Sequence, residues 1–190
     1  MTTTLAAAAD ATTTLVSRAA SGDRAAFERL IGERLDALYR TAWAILRDEA
    51  EARDATQEAL VACWRELPRL REQDRFDAWL QRILVNRCRT AIRSSRRRPV
   101  RRLELVDEQI PVADGAGGEP SPDQVADDDA IRRAFARLRA EPRAILVMHH
   151  VDGRPVAEIA AVLGIPEGTA KWRLHDARRA LERALAEEAR

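Results

Sequence analysis

Apolar residues recur along this chain at intervals of three and four, the spacing that puts them on one face of a helix. From about Asp23 the positions Phe27, Leu30, Ile31, Leu35 and Leu38 follow this period, and the run continues or restarts through Tyr39, Trp43 and Leu46. Asp48, with Glu51 three residues later, is a capping-box-like start that would satisfy free N–H groups of the next helix. That helix is predicted to run to about Leu67 and to end before Pro68. A further helix should begin at Asp74, again with an acid (Asp77) three residues on, and continue to Arg98, where Pro99 stops it.

The second half of the chain repeats the pattern on a smaller scale. A helix is predicted near Asp129–Arg139, and Pro142 opens another through about His150. Asp152-Gly153 makes a turn. Two more helices follow, Val156–Leu163 and roughly Glu167–Leu185, separated by Gly164-Ile165-Pro166. Between the halves, residues 103–130 combine three glycines, three prolines and like charge with no aromatic side chain. Such a stretch buries too little apolar surface to offset its ordering entropy. The fold expected is therefore all-α: a disordered tail (1–16), a helical domain (17–102), a flexible acidic linker (103–130) and a second helical domain (131–190).

Charge sharpens this division. The net charge of +1 hides a balance of +6 over residues 1–102, −9 over 103–130 and +4 over 131–190. Two basic blocks on an acidic tether suit two polyanion-binding modules. No window reaches the ~18 apolar residues needed to cross a bilayer, so no membrane insertion is expected. The Thr- and Ala-rich start lacks the basic opening of a signal peptide, which makes the cytoplasm the expected compartment. Cys63 and Cys88 are read as semi-buried thiols. Neither these cysteines nor His149 and His150 have the close paired spacing of a metal site, and no nucleophile motif is present, so neither a cofactor nor an enzymatic activity is expected.

Three helical faces carry the candidate chemistry. In Val156–His175, Ala160, Gly164 and Ala170 hold the fifth, ninth and fifteenth places of a helix-turn-helix. Small residues permit close helix approach, and Gly164 permits a left-handed turn. On the last helix Ala170, Leu174, Ala177 and Leu181 face the core, while Trp172, His175, Asp176 and Arg179, with Lys171 on the shoulder, would enter a major groove. A plain helical hairpin with a solvated face has the same spacing. On the helix 74–98, the core stripe is Phe76, Trp79, Leu80, Ile83, Leu84, Cys88, Ala91 and Ile92. A separate stripe of Arg75, Arg82, Asn86, Arg89 and Arg93, followed by Arg96-Arg97-Arg98 and Arg101-Arg102, forms a phosphate-tracking face. The helix 48–67 differs again. Ala52, Ala55, Leu60, Cys63, Trp64 and Leu67 should face its core. Glu51, Asp54, Gln57, Glu58 and the apolar Val61 lie outward, a face suited to a basic protein surface rather than to DNA.

The run ARDATQEALVACWRELPRLREQDRFDAWLQRILVNRCRTAIRSSRRR resembles region 2 of the extracytoplasmic-function (ECF) sigma factors of the sigma-70 family. The run AFARLRAEPRAILVMHHVDGRPVAEIAAVLGIPEGTAKWRLHDARRAL resembles their region 4. The resemblance covers about residues 20–100 and 131–185, in that order, with a linker where region 3 is absent. It implies core RNA polymerase and promoter DNA as partners, and an anti-sigma factor as regulator. Asp54, Gln57 and Glu58 match the D-x-x-Q-E helix that docks on the clamp coiled coil of the polymerase's largest subunit. Trp79, Arg82 and Asn86 match A-W-L-x-R-I-x-x-N, near where the minus-10 element melts and a base flips out. Glu158, Gly164, Gly168, Thr169, Lys171 and Arg173 match the E-I-A…L-G…G-T-x-K-x-R pattern that reads the minus-35 element as duplex. Trp172 stands where a small polar residue is usual, Asp176 where a basic one is usual, and His149-His150 replaces a basic-aromatic pair.

A helix-turn-helix regulator acting alone as a dimer would explain residues 142–185, but not the acidic helix or the Arg/Asn stripe. A sigma-like module reduced to protein–protein adaptor work, keeping docking but losing promoter selectivity, stays open because Trp172 and Asp176 depart from the usual groove face. The linker's nine carboxylates could mimic nucleic-acid charge in a basic channel, or could keep the tether extended.

Overall fold

The computed structural model describes residues 2–97 and 122–188, with side chains for 11–94 and 129–188. Every regular element among them is helical, as the sequence predicts. The N-terminal module contains α1 (Thr2–Ala20), α2 (Arg24–Gly32), α3 (Leu35–Leu46), α4 (Glu49–Glu66) and α5 (Phe76–Arg97), with two single 3-10 turns at Leu67–Arg69 and Gln73–Arg75. The C-terminal module contains α6 (Pro122–Arg137), α7 (Ala140–Leu146), a π turn at Val147–Val151, α8 (Val156–Leu163) and α9 (Glu167–Glu188).

Two aspartates cap helices, Asp48 where the sequence places a cap and Asp23 at the residue from which the first helix was expected to run. Asp23 Oδ1 accepts from Ala26 N–H at 3.0 Å to open α2, and Asp48 Oδ1 accepts from Glu51 N–H at 2.8 Å to open α4. Asp48→Ala should therefore cost about 1 kcal/mol of unfolding free energy, measurable by urea melting; an unchanged midpoint would contradict the role of the cap. Gly164 ends α8 at φ 67°, and its N–H reaches the Ala160 and Ala161 carbonyls, which is the left-handed turn expected between the two helices. Arg47 ends α3 at φ 56° without help from glycine.

A close-packed centre forms where α4 meets α3 and α5. Ala52, Ala55, Ala59 and Ala62 line the inner face of α4, and their small side chains let the neighbouring axes approach. Phe76, Leu80, Leu84, Val85 and Cys88 fill the space from α5. In the C-terminal module Ile145, Met148, Ile159, Val162, Ala170, Leu174 and Ala177 form the matching core of the helix-turn-helix.

Several expectations change. Of residues 1–16, expected to be disordered, 2–16 fall within α1, whose Val16 and Ala19 are buried and which packs on α2 and both 3-10 turns. Leu15 and Ala20 pack against the same core beside these two, and alanine's high helix propensity favours the helical state of the run. Residues 122–130, expected to be linker, are the first half of α6; residues 98–121, with Arg98, Arg101 and Arg102, lie outside the described residues. Trp64, expected in the core, is displaced to the surface because Ala59, Ala62 and Cys63 occupy the inner stripe; its ring meets Phe27 edge-on at 4.9 Å. Asp74 lies inside a 3-10 turn rather than at a helix cap, so α5 starts at Phe76. The two modules also touch, through α3 against α7 and α5 against α8.

Candidate functional site

Three surfaces result from this packing. On α4, Asp54, Gln57, Glu58 and Val61 are exposed and Glu51 is half-buried. Burial, with Asp48 beside it, raises the Glu51 carboxyl above its ordinary range. Asp54 and Glu58 make no ion pair among the described residues, so their negative field is not spent internally. These side chains edge a trough between α4 and α5 that also holds Arg65, Glu66 and Arg87. Arg87 was not singled out from the sequence; it lies on the flank of α5 that turns toward the acidic face. Val61, half exposed at 50%, is the apolar element of the same patch.

On α5, Arg82, Asn86 and Arg93 are exposed, whereas Trp79 and Arg89 are half-buried. Among the described residues, Arg82, Arg89 and Arg93 make no ion pair with any carboxylate, so they present a row of cationic groups along α5. Trp79 leans on Phe76, ring centroids 6.0 Å apart. It opens with Arg82 into a pocket walled by Leu70, Arg71, Glu72, Arg75, Ala78 and, from the other module, Ala161. Gln81, between the two stripes, is fully buried and donates to Thr41 Oγ1 at 2.7 Å.

On α9, Gly168 is exposed and Thr169 half-buried at the start of the helix, and Lys171, Trp172, His175, Asp176 and Arg179 are exposed along its outer face. Lys171 pairs with Glu167 at 2.7 Å, and Arg173 pairs with Glu141 of α7. Glu158 pairs with Arg154, which fixes the entry to α8. Trp172 is 65% exposed and flanks, with Asp176 one turn on, a groove toward Arg139 and Pro142. An indole this exposed contributes little to the core. His149 Nδ1 donates to the Arg154 carbonyl at 2.9 Å, and His150 Nε2 accepts from Arg178 at 3.2 Å; burial, then Arg178 and His149, lower the His150 pKa.

Burial pushes the thiols of Cys63 and Cys88 up to about 12, so both stay protonated at neutral pH. No group of three or more potential metal ligands stands together among the described residues, and no described helix is long and apolar enough to cross a membrane.

Comparison with known proteins follows the same division. The sigma-70 region 2 family matches residues 30–98, and the sigma-70 region 4 family matches residues 128–181. The chain is 35% identical over 171 residues to the ECF RNA polymerase sigma factor SigM of Mycobacterium tuberculosis, covering 90% of this chain and 83% of SigM. It is 35% identical over 176 residues to the ECF RNA polymerase sigma factor SigL of the same organism, covering 90% and 96%. Among solved structures it is similar to CnrH in complex with the cytosolic domain of CnrY, at TM-score 0.66 and 25% identity over 93% of this chain and 98% of that one. The fold is shared with the sigma factor RpoE of Bartonella quintana, at TM-score 0.65 and 22% identity over 84% and 96%.

Proposed function

The chain belongs to the ECF sigma factors of the sigma-70 family, and on that premise we propose how it directs core RNA polymerase to a particular set of promoters. It is a transcription regulator that works by binding and performs no bond-making step of its own, in the cytoplasm where the polymerase works. Residues 17–102 act as region 2 and residues 131–190 as region 4. The observation that carries the assignment of roles is the separation of charge on adjacent helices: Asp54 and Glu58 on α4, and Arg82, Arg89 and Arg93 on α5, each without an ion pair among the described residues.

Glu51, Asp54, Gln57, Glu58 and Val61 grip a basic helical surface of the polymerase's largest subunit. Once docked, the two modules hold two promoter elements at a fixed spacing, and the second contact becomes nearly intramolecular. Trp79, Arg82, Asn86, Arg89 and Arg93 receive the unstacked non-template strand of the minus-10 element. Guanidinium groups track phosphates, Asn86 offers both donor and acceptor to a base edge, and the Trp79 pocket takes an extruded base. Unstacking costs a few kcal/mol per step, which these contacts offset. Gly168, Thr169, Lys171, Trp172, His175, Asp176 and Arg179 enter the major groove of the minus-35 duplex. An anti-sigma factor regulates the chain; the chain's structural relative CnrH is found in complex with a protein segment, the cytosolic domain of CnrY.

Trp172 offers an apolar face suited to a thymine methyl, and Asp176 an acceptor suited to a cytosine amino group. Promoter selection with the reconstituted holoenzyme should return a shifted minus-35 sequence for Trp172→Ser, with discrimination at one base changing by about tenfold. Identical selected sequences would remove Trp172 from the readout. The assignment of function is tested by the same preparation: selection that enriches no sequence over core polymerase alone would overturn it.

A further inference from the structure

Three polar residues of α5 belong neither to its core stripe nor to its strand-binding face. Arg87, Thr90 and Ser94 stand at intervals of three and four, so they share one side of the helix, and that side turns toward α4. With Glu51, Asp54 and Glu58 of α4 they line one end of the trough between the two helices. Asp54, Glu58 and Arg87 also line its other end, where Val61, Arg65 and Glu66 join them. Arg87 therefore stands in the middle of the trough, beside Asp54 and Glu58.

Hydrogen bonding gives this surface a definite polarity. The Thr90 hydroxyl donates to the Asn86 carbonyl at 3.0 Å, and the Ser94 hydroxyl to the Ala91 carbonyl at 2.8 Å. Each hydroxyl has then used its only proton and offers acceptor lone pairs alone. Carboxylates and acceptor hydroxyls together suit a partner rich in donors, which a basic surface supplies. Arg87 is the exception. Arginines near carboxylates elsewhere on these helices close onto them: Arg53 pairs with Glu49 on α4, and Arg75 with Glu72 ahead of α5. Arg87 lines the trough with Glu51, Asp54 and Glu58, yet forms no ion pair among the described residues. Arg65 forms none there either, but it sits in the last turn of α4, where the negative end of the helix accounts for it. Arg87 is half-buried in the middle of α5 and has no such local partner.

We propose that Arg87 is a specificity residue of polymerase docking: its guanidinium meets a carboxylate on the polymerase surface that α4 grips, and so fixes their register. The inference rests on α4 being the docking helix. A purely acidic face attracts any basic surface in many registers. One cation among the acids makes the pattern directional, because a basic partner without the matching acid brings like charges together. The planar fork of arginine suits a carboxylate better than the point charge of lysine does. Charge counting alone gives the opposite expectation, since removing a cation from an acidic face should tighten its grip on a basic partner. The two readings differ in sign.

The test measures binding of the full chain to purified core RNA polymerase by fluorescence anisotropy. Arg87→Met, similar in length but uncharged, should bind about tenfold more weakly than wild type, and Arg87→Glu about 100-fold more weakly. Arg87→Lys should fall between wild type and Arg87→Met, because it keeps the charge and loses the fork. Urea midpoints should stay close to wild type, since Arg87 has no ion-pair partner among the described residues. Unchanged or tighter binding of Arg87→Met and Arg87→Glu would overturn the inference, and tighter binding would make Arg87 a brake on a purely basic contact. A deficit that Arg87→Lys does not reduce, with a lowered urea midpoint, would make the residue structural and overturn it equally. The Asp54→Lys, Glu58→Lys chain is measured alongside. Wild-type affinity there would refute α4 as the docking helix, whereas weakening there with unaltered Arg87 variants would refute the role of Arg87 alone.

Discussion

Asp54→Lys combined with Glu58→Lys is expected to weaken binding to core RNA polymerase about 100-fold and to abolish promoter-directed initiation. Both carboxylates stand exposed on α4, and neither forms an ion pair among the described residues. Substitution there removes two attractions and adds two repulsions against a basic partner, and like-charge juxtaposition at an interface costs several kcal/mol. Folding should be little affected, because neither side chain enters the core between α3, α4 and α5. Glu28→Lys, an equally exposed change on α2, supplies the control and should leave polymerase affinity unaltered. Equal affinity of the double variant and wild type, measured by fluorescence anisotropy, would detach the acidic helix from polymerase docking.

The second large effect is expected on the neighbouring helix. Replacing Arg82, Arg89 and Arg93 together by alanine should leave polymerase binding intact and reduce open-complex formation about 100-fold. Each guanidinium that neutralises a phosphate of a single strand adds about 0.7 to the slope of log affinity against log salt. Loss of three should lower that slope by about 2 for single-strand binding by the holoenzyme. The absence of ion pairs at these positions among the described residues is what makes the effect available. An unchanged slope with reduced initiation would mean that the three residues act on polymerase geometry rather than on the strand.

Much of this was legible in the sequence because the information is local. Helical period placed α2 to α5 and α7 to α9, Asp48 marked a real cap, and Gly164 marked the left-handed turn. The outer faces of α4, α5 and α9 followed from the same period, since a residue opposite a buried stripe has to be exposed. Inner faces built from alanine were harder: in α4 the stripe Ala52, Ala55, Ala59 and Ala62 carries little hydropathy contrast, and the larger Trp64 drew the assignment away from it. The same weakness hid α1, whose Thr- and Ala-rich sequence buries only Val16 and Ala19 within the described side chains.

Contacts between the modules could not be read from spacing. Arg143 meets carbonyls about a hundred positions earlier in the chain, and backbone carbonyls leave no trace in residue identity. Asp152-Gly153 carries an ordinary turn signal, which conceals that its carboxylate is almost fully buried against Arg40. A buried arginine within PRAILVMHH was the one available sign that something outside the local helix had to accept its hydrogen bonds.

The division of labour between an acidic docking helix and two basic reading surfaces is tested most directly by run-off transcription. Purified chain and core polymerase are combined on linear duplex templates carrying a promoter obtained by selection. The predicted result is a transcript of one defined length that depends on the chain and disappears with the Asp54→Lys, Glu58→Lys variant. Initiation from template ends alone, with and without the chain, would contradict the account.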